Sequence, residues 1–477
     1  MKLKHIVWCG FLCTVALGDL NAQEPMTLEK CRELALEHNK SIAIAERNKI
    51  QAAYTRKSYW ANYFPKISAS GSYLYTNREM NKTLPGSYLP TFVPDAETGG
   101  LVPNILTTGS DGNPIFKEYA YFPDIDLSLK LSGTWMAGLQ AEQPLFMGGK
   151  ITSGYKMSKI VEDIAGLNQH LTHAEVIVKT DEAYWTYVQA TELQKLALSY
   201  QKVVAELLRN VQDAQEVGLK HTNDVLKVQV KLNEAELQLR QAENGVNLSR
   251  KNLCHIMGVP LHREVVLPEE IENTPTMIIE RDAGYTDRPE YAILEQQVKL
   301  KQQQIKLTRS DYLPQVGVMA NYGYIDGLKL NGSKLLDRAS FSVMASVSIP
   351  LFQWGEGRNK VNAAKAEYDI MKLQRDDIGE MMELELIQAL DRCDESVLEV
   401  QLTTRSLRQA EENMRVSKDM YDAGMETLAD YLEAQTAWQQ AWSEHINAQT
   451  RQRIHYTHYQ KATGHLGESV SRQSSTN

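Results

Sequence analysis

Histidines, cysteines and glycines are the residues whose spacing could set up chemistry in this 477-residue chain, and each pattern stops short. His170 with His173, and His455 with His458, stand three apart, close enough to place two ligands on one helix face. Neither pair has an acid placed as in His-Glu-x-x-His, so they read as surface or packing side chains. There is no Gly-x-Ser-x-Gly elbow and no phosphate-cradling loop ending in Gly-Lys-Ser/Thr. Gly355-Glu356-Gly357 lacks the third glycine of a dinucleotide turn. Cys31, Cys254 and Cys393 are too widely spread for a disulfide framework, match no zinc spacing, and read as buried apolar filler. No enzymatic activity, metal or cofactor is expected.

Composition excludes other classes. With 43% hydrophobic and 23% charged residues the chain reads as folded rather than disordered. Its 51 basic residues against 60 acids give a net charge of -9, so the basic footprint that nucleic acid requires is missing. Lys2 and Lys4, an apolar run over 6–17, and Leu20-Asn21-Ala22 lay out a secretory signal peptide over 1–22. Cys9 and Cys13 lack the small preceding residue that lipoprotein processing prefers, so no lipid anchor is expected. Beyond the signal no stretch reaches the roughly 18 to 20 apolar residues of a membrane helix, and any membrane role must come through strands.

The prolines divide the chain. Six of the 15 crowd 77–127, which reads as a long irregular loop, whereas none falls between Pro144 and Pro260 or after Pro350. Those proline-free stretches are rich in good helix formers and predict very long helices. The chain also repeats: Pro144-Leu145-Phe146 resembles Pro350-Leu351-Phe352, Gly218 resembles Gly424, Asp224-Val225-Leu226 resembles Asp430-Tyr431-Leu432, and Gly258 resembles Gly464. All these pairs lie 206 residues apart, the mark of two copies of one unit. Upstream, Tyr63-Phe64-Pro65 resembles Tyr312-Leu313-Pro314 at an offset of 249, the first copy carrying 43 extra residues in its loop.

A first repeat is expected over 23–258, with helix 28–63, strands 66–76 and 127–142, long helix 150–216 and helix 222–257. An equatorial connection over 259–286 follows, then a second repeat over 287–464, with helix 287–312, strands 315–325 and 339–349, long helix 356–423 and helix 427–463, and a tail over 465–477. Two half-length helices end to end match one long one, which predicts an antiparallel bundle. The strands alternate: Ile67, Ala69, Gly71 and Tyr73 against Ser68, Ser70 and Ser72, and Phe341, Val343, Ala345 and Val347 against Ser340, Ser342, Ser346 and Ser348. One apolar and one small polar face suit a membrane barrel, or a soluble sheet packed on helices. Tyr59, Trp60, Tyr63 and Phe64 at the helix-to-strand change would suit an interface belt or ordinary packing. Four strands cannot close a barrel alone, so two, three or four copies must share one.

These marks, with Thr27-Leu28, Ala35-Leu36 and Asn39 in the opening helix and Arg288-Pro289-Glu290 opening the fifth, make the chain resemble the TolC-like outer membrane efflux proteins over its mature length. The resemblance implies a mainly α chain with membrane β: a homotrimer in which four strands per chain build a twelve-stranded β-barrel in outer membrane lipid. The barrel continues into a periplasmic α-helical barrel of twelve helices. It implies an exit duct of a tripartite efflux or type I secretion system, whose partners are a periplasmic membrane-fusion adaptor and an inner-membrane transporter of RND, ABC or MFS type. The competing class is an exported coiled-coil binding or adhesion protein without a pore.

The resemblance also assigns site residues. Tyr421 and Asp224 match positions that help hold the family's periplasmic end closed, next to Gly424 and Gly218 at the helix turns where the adaptor docks. Glu426 stands where the family has an arginine, and Lys220 occupies the equivalent place in the first repeat. A pair of Lys220 with Glu426 or Asp430 would reverse the polarity of the lock. Asp430 and Glu433 match the family's acidic rings, six carboxylates in a trimer favouring cations. Asp430 can equally support the helix start after Thr427.

Overall fold

The computed structural model describes residues 25–77, 79–131, 133–268, 279, 281, 284–336 and 338–467. The signal peptide, much of the 259–286 connection and the tail after 467 lie outside them. The chain divides into two compact units, one made of Met1–Thr55, Ser158–Gln302 and Ala366–Asn477, the other of Arg56–Met157 and Gln303–Lys365.

Helices dominate the first unit. In chain order they are α1 (Leu28–His38), α2 (Lys40–Ala61), α3 (Lys150–Glu216), α4 (Thr222–Ile256), α5 (Pro289–Ser310), α6 (Glu356–Asp422) and α7 (Leu428–Ala462). The 67 residues of α3 and of α6 make each helix about 100 Å long. None of the described helices is apolar enough to cross a membrane. Both ends of α6 fall 206 residues after those of α3, both ends of α7 206 after those of α4, and both ends of α5 249 after those of α2.

The helix predicted over 28–63 is in fact two. Asn39 adopts an extended backbone (ψ 130°), its Oδ1 accepts from the Ser41 N–H at 2.7 Å, and its Nδ2 donates to the Ile256 carbonyl at 2.7 Å. Asn39 is thus the N-cap of α2, a role asparagine fills well because its side chain satisfies a free first-turn N–H. Its counterpart 249 residues on is Arg288, immediately before Pro289 at the start of α5.

Buried apolar clusters join the helices. One gathers Tyr200, Val204 and Val211 of α3, Val228 of α4, Tyr421 of α6 and Tyr431 of α7. A second joins Cys31 of α1, Tyr184 and Val188 of α3, and Leu253 and Cys254 of α4. Beside it, Asp181 of α3 is fully buried. Arg32 of α1 grips it with two bonds, Nε to Oδ1 at 2.7 Å and Nη2 to Oδ2 at 2.5 Å, and Thr457 of α7 donates to Oδ2 at 2.8 Å. One carboxylate therefore ties three helices drawn from both repeats. The three described cysteines, Cys31, Cys254 and Cys393, are free and buried, and burial pushes the Cys31 thiol up to about 12 and the Cys393 thiol up to about 11.

The second unit holds the sheets. Strands β1 (Lys66–Leu74), β2 (Glu79–Leu84), β3 (Ser87–Pro90), β4 (Phe92–Pro94), β5 (Leu101–Pro103), β6 (Ile105–Thr108), β7 (Pro114–Phe116), β8 (Tyr119–Phe122), β9 (Ile125–Lys130) and β10 (Thr134–Met147) come from the first repeat. The second repeat adds β11 (Gln315–Asp326), β12 (Leu328–Leu330), β13 (Ser333–Leu336) and β14 (Ala339–Ser348). The main sheet is antiparallel with order β1-β10-β11-β14. Directly opposed residues share a face, and the register lines up Ala69, Leu139, Tyr322 and Phe341 in one row and Ile67, Ala141, Ala320 and Val343 in another. The intervening rows are polar or small: Ser70, Gly138, Gly323 and Ser340, then Ser68, Gln140, Asn321 and Ser342. Among the described strands β1 and β14 pair on one side only, and both are exposed throughout.

Two expectations need correction here. The strand predicted over 127–142 is two: β9 ends at Lys130 and β10 begins at Thr134, just after Gly133, which takes φ +77° and donates its N–H to the Leu74 carbonyl. The loop predicted over 77–127 is not irregular: β2 pairs with β9, β3 with β8, β4 with β5 and β6 with β7. Pro90, Pro94, Pro103 and Pro114 sit at strand ends, where a missing N–H removes little from the ladder, so the proline density marks strand boundaries rather than disorder.

Removing the guanidinium with Arg32→Met leaves the Asp181 carboxylate buried with a hydroxyl as its one side-chain partner, and a loss of about 3–5 kcal/mol is expected, read from thermal or denaturant unfolding. His173, His445 and His455 are held below the ordinary histidine value, by burial first. The unfolded chain then takes up protons before the folded one, so stability is full above pH about 6.5 and falls on acidification, by at most about 1.4 kcal/mol per pH unit for each histidine. Unfolding midpoints measured between pH 7.5 and 5 check the sign.

Candidate functional site

Two helix turns lie side by side at the cluster that joins α3, α4, α6 and α7. In the first, Gly218 takes φ +79°, the Gly218 N–H bonds to the Gln215 carbonyl and the Leu219 N–H to the Ala214 carbonyl. In the second, Gly424 takes φ +75°, with matching bonds from Gly424 to Tyr421 and from Met425 to Met420. Both are Schellman closures, which need a left-handed residue and hence favour glycine. A Cβ at either glycine would meet no atom within 4 Å, so conformation alone demands the glycine.

Each turn passes into a helix whose start is capped by an acid. Thr427 accepts from the Asp430 N–H at 3.3 Å while Asp430 Oδ2 accepts from both the Thr427 N–H at 3.3 Å and the Thr427 hydroxyl at 2.5 Å. Asp224 accepts from the His221 N–H at 3.4 Å and lies 3.8 Å from the Lys227 ammonium. Both acids also sit at the positive end of a helix dipole. The carboxylates expected to act as a lock and a ring thus have a structural task in every chain.

The Lys220 ammonium reaches from the first turn to the second, but not to an acid. It stands 4.4 Å from the centre of the Tyr421 ring, and Tyr421 in turn stacks on Tyr431 with centroids 5.4 Å apart and planes 16° from parallel. The expected pair of Lys220 with Glu426 or Asp430 is not made within the chain. Glu426 is held instead by the hydroxyl of Ser417, a buried residue of α6 nine positions earlier, at 2.7 Å, and Asp430 is occupied by Thr427. A cation over an aromatic face is worth about 0.5–1 kcal/mol where water reaches it and more where it does not. Glu433 is exposed.

The structure therefore brings together Lys220 and Tyr421, and adds two residues that sequence reasoning missed, Tyr431 and Ser417. Tyr431 was visible as an aromatic one residue past the repeated aspartate; Ser417 carried no signal. Val217, Leu219 and Met425, next to the glycines, are 70%, 77% and 74% exposed, an apolar tip on both turns. The histidine pairs do not converge on a metal: His458 Nε2 lies 2.9 Å from Glu182, and among the described residues no group of three possible ligands gathers.

The model of the outer membrane efflux protein family matches residues 31–259 and 286–465. The alkaline protease secretion protein AprF of Pseudomonas aeruginosa is 22% identical over 325 residues, 65% of this chain and 66% of its own length. Outer membrane protein OprJ of the same organism is 23% identical over 57% of this chain and 59% of its own. The aligned part is thus just under two thirds of the first curated relative and less of the second. Among solved structures, the CmeC outer membrane channel of Campylobacter jejuni superposes with a TM-score of 0.71 at 20% identity, covering 94% of this chain and 89% of CmeC. The outer membrane protein VceC of Vibrio cholerae gives 0.68 at 15% identity, covering 92% and 96%. These likenesses establish the fold.

Gly424→Ala forces a Cβ into the left-handed region and is expected to weaken the turn by about 1–2 kcal/mol. Amide exchange across 420–430 should accelerate accordingly, whereas a turn that flips to another conformation without cost would leave exchange unchanged.

Proposed function

Because the chain belongs to the outer membrane efflux protein family, we propose that three copies form the outer-membrane exit duct of a tripartite efflux or type I secretion system. The observation that carries this reading is the main sheet, in which rows such as Ala69, Leu139, Tyr322 and Phe341 are apolar, rows such as Ser70, Gly138, Gly323 and Ser340 are small or polar, and one side of each edge strand is open. In lipid each unpaired backbone group costs several kcal/mol, so the edges must be met by other copies. Three copies supply twelve strands, enough to leave a water-filled lumen lined by the serine, glycine and glutamine rows.

The helical unit then belongs to the periplasm, where a membrane-fusion adaptor and an inner-membrane transporter of RND, ABC or MFS type deliver the cargo. The exposed apolar tip at Val217, Leu219 and Met425, beside Gly218 and Gly424, suits the adaptor contact. Lys220 on Tyr421 and Tyr431 ties the two turns of one chain to each other and supports a closed tip, with Asp224 and Glu426 fixed around it. Asp430 and Glu433, both exposed, supply the acidic ring. Nothing in this role requires bond-making chemistry, and the protein acts as a conduit rather than an enzyme. AprF is named for protease secretion, which supports a secretion cargo as readily as a small efflux solute.

Protein extracted in detergent should appear in electron micrographs as threefold particles and conduct in planar bilayers; a water-soluble monomer without conductance would overturn the reading. Lys220→Glu, which places a carboxylate against the negative face of Tyr421, should raise leak through the resting channel. Equal leak removes Lys220 from the gate. Asp430→Ala with Glu433→Ala should cut cation-over-anion selectivity by about twofold or more, because six carboxylates leave one axis.

A further inference from the structure

The first repeat carries an arm that the second lacks. Beyond the main sheet lies a second one of order β13-β12-β9-β2, in which β12 pairs with β9 through Lys329 with Lys130 and Leu330 with Leu129. Each of its strands is joined in sequence to one of the main sheet, β2 to β1, β9 to β10, β12 to β11 and β13 to β14. The free edges, β2 and β13, therefore continue the free edges β1 and β14. Asn331 fastens the two repeats here, its N–H donating to the Ser128 carbonyl at 2.8 Å and its Oδ1 accepting from the Ser128 N–H at 2.7 Å.

From β2 and β9 the arm rises as a fork. Its stem is β3 with β8, and its two prongs are β4 with β5 and β6 with β7. Backbone bonds close the junction: Thr91 N–H to the Glu118 carbonyl, Asn104 N–H to the Thr91 carbonyl, and Lys117 N–H to the Asn104 carbonyl. The fork is ordered yet has no core. No described residue of 77–131 belongs to any of the five buried apolar clusters. Tyr88 and Tyr121, 5.2 Å apart on the stem, are 69% and 61% exposed, and Phe92, Leu101 and Leu106 are exposed on the prongs. Isolated two-stranded ribbons are marginal in water, and so much contiguous apolar surface calls for cover.

We propose that the cover is the same arm of the neighbouring copies, the three arms packing on one another at the outer mouth above a collar in which β2 of each chain meets β13 of the next. The proposal rests on the trimeric channel of the preceding section and deepens it. Continuity of the edges sets the geometry: if β1 must meet a neighbour's β14, β2 is carried to that neighbour's β13, and the arm stands on the interface itself. Twelve strands about 4.8 Å apart and tilted about 40° form a ring of about 12 Å radius, so neighbouring arms rise about 20 Å apart. Eight residues of extended chain from Ser87 reach about 25 Å, enough for arms to meet. The short link between β11 and β14 gives the neighbour no arm of its own on that side to fill the gap. Charge argues against the bilayer surface as the cover: residues 87–122 hold Asp95, Glu97, Asp111 and Glu118 against Lys117, and anionic headgroups repel that excess. Asp95, Glu97 and Asp111 lie in the prong turns, away from the aromatic stem.

The test uses the full chain, whose three mature cysteines are buried. Tyr88→Cys, Leu101→Cys and Leu106→Cys, each oxidised with copper phenanthroline in membranes, should give a covalent dimer for at least one position. Phe92→Trp should fluoresce without quenching in brominated-lipid nanodiscs. Threefold particles with no cross-link at any of the three positions overturn the arm contact alone, as does strong quenching, which would place the arm on lipid. Particles that are not threefold sink the channel reading and the arm contact with it.

Discussion

An unfinished hydrogen-bond ladder governs this molecule. Apolar rows on a four-stranded sheet suit lipid, yet among the described strands β1 and β14 leave one side of each without a partner. Water can satisfy such edges and lipid cannot, so the face and the edges make contradictory demands of a single chain. The proposed trimer would resolve the contradiction through backbone groups, which carry no sequence specificity. Specificity in that trimer would then come from side chains outside the ladder, in the helices and in the arm contact proposed here. Much of the chain lies in those places.

The helical unit shows how a duplicated sequence becomes one body. Helices α3 and α6, and α4 and α7, keep the same length and the same offset, so the two halves share one plan of elements. Equivalence is broken where the halves must hold each other. Asp181 of the first repeat is met by Arg32 of α1 and by Thr457 of α7, while its counterpart 206 residues on is Ile387. In the second repeat Arg288, itself buried, bonds Glu385 at 2.7 Å and Glu290 at 3.2 Å. A buried carboxylate is costly to bring out of water, and once gripped by a two-pronged guanidinium it allows few alternative alignments of the helices around it. Ridges of leucine and valine alone would tolerate a slip by one turn.

At the turns, the same residues serve local folding and the proposed gate. Asp430 closes a capping box and Asp224 caps α4, so a repeated aspartate is explained before any conduction is considered. What lies beyond local need is the stack of Lys220, Tyr421 and Tyr431, which joins two turns separated by about two hundred residues of chain. The family resemblance suggested a charge pair, because Glu426 stands where the family has an arginine. The structure answers with an aromatic face, which attracts a cation while leaving Glu426 free to bind Ser417.

Periodicity and repetition, which depend on residues near each other in sequence, were legible from the sequence alone. They revealed the long helices, the glycine closures at Gly218 and Gly424, the alternating strands, and the count of four that forbids a solitary barrel. Interruptions were harder. Asn39 looked like one more polar residue in a helical pattern, because the bond that anchors its side chain, from Nδ2 to the Ile256 carbonyl, comes from far away in the chain, while its cap to the Ser41 N–H is local. The prolines of 77–127 suggested irregularity, because nothing in their spacing says that Ser87 will face Phe122. Partner choice belongs to tertiary structure for the same reason: whether Lys220 finds a carboxylate or a ring, and whether Asp181 finds Arg32, is decided by which helices pack side by side. A local pattern specifies which face a residue occupies, and only the packed chain specifies what stands opposite that face.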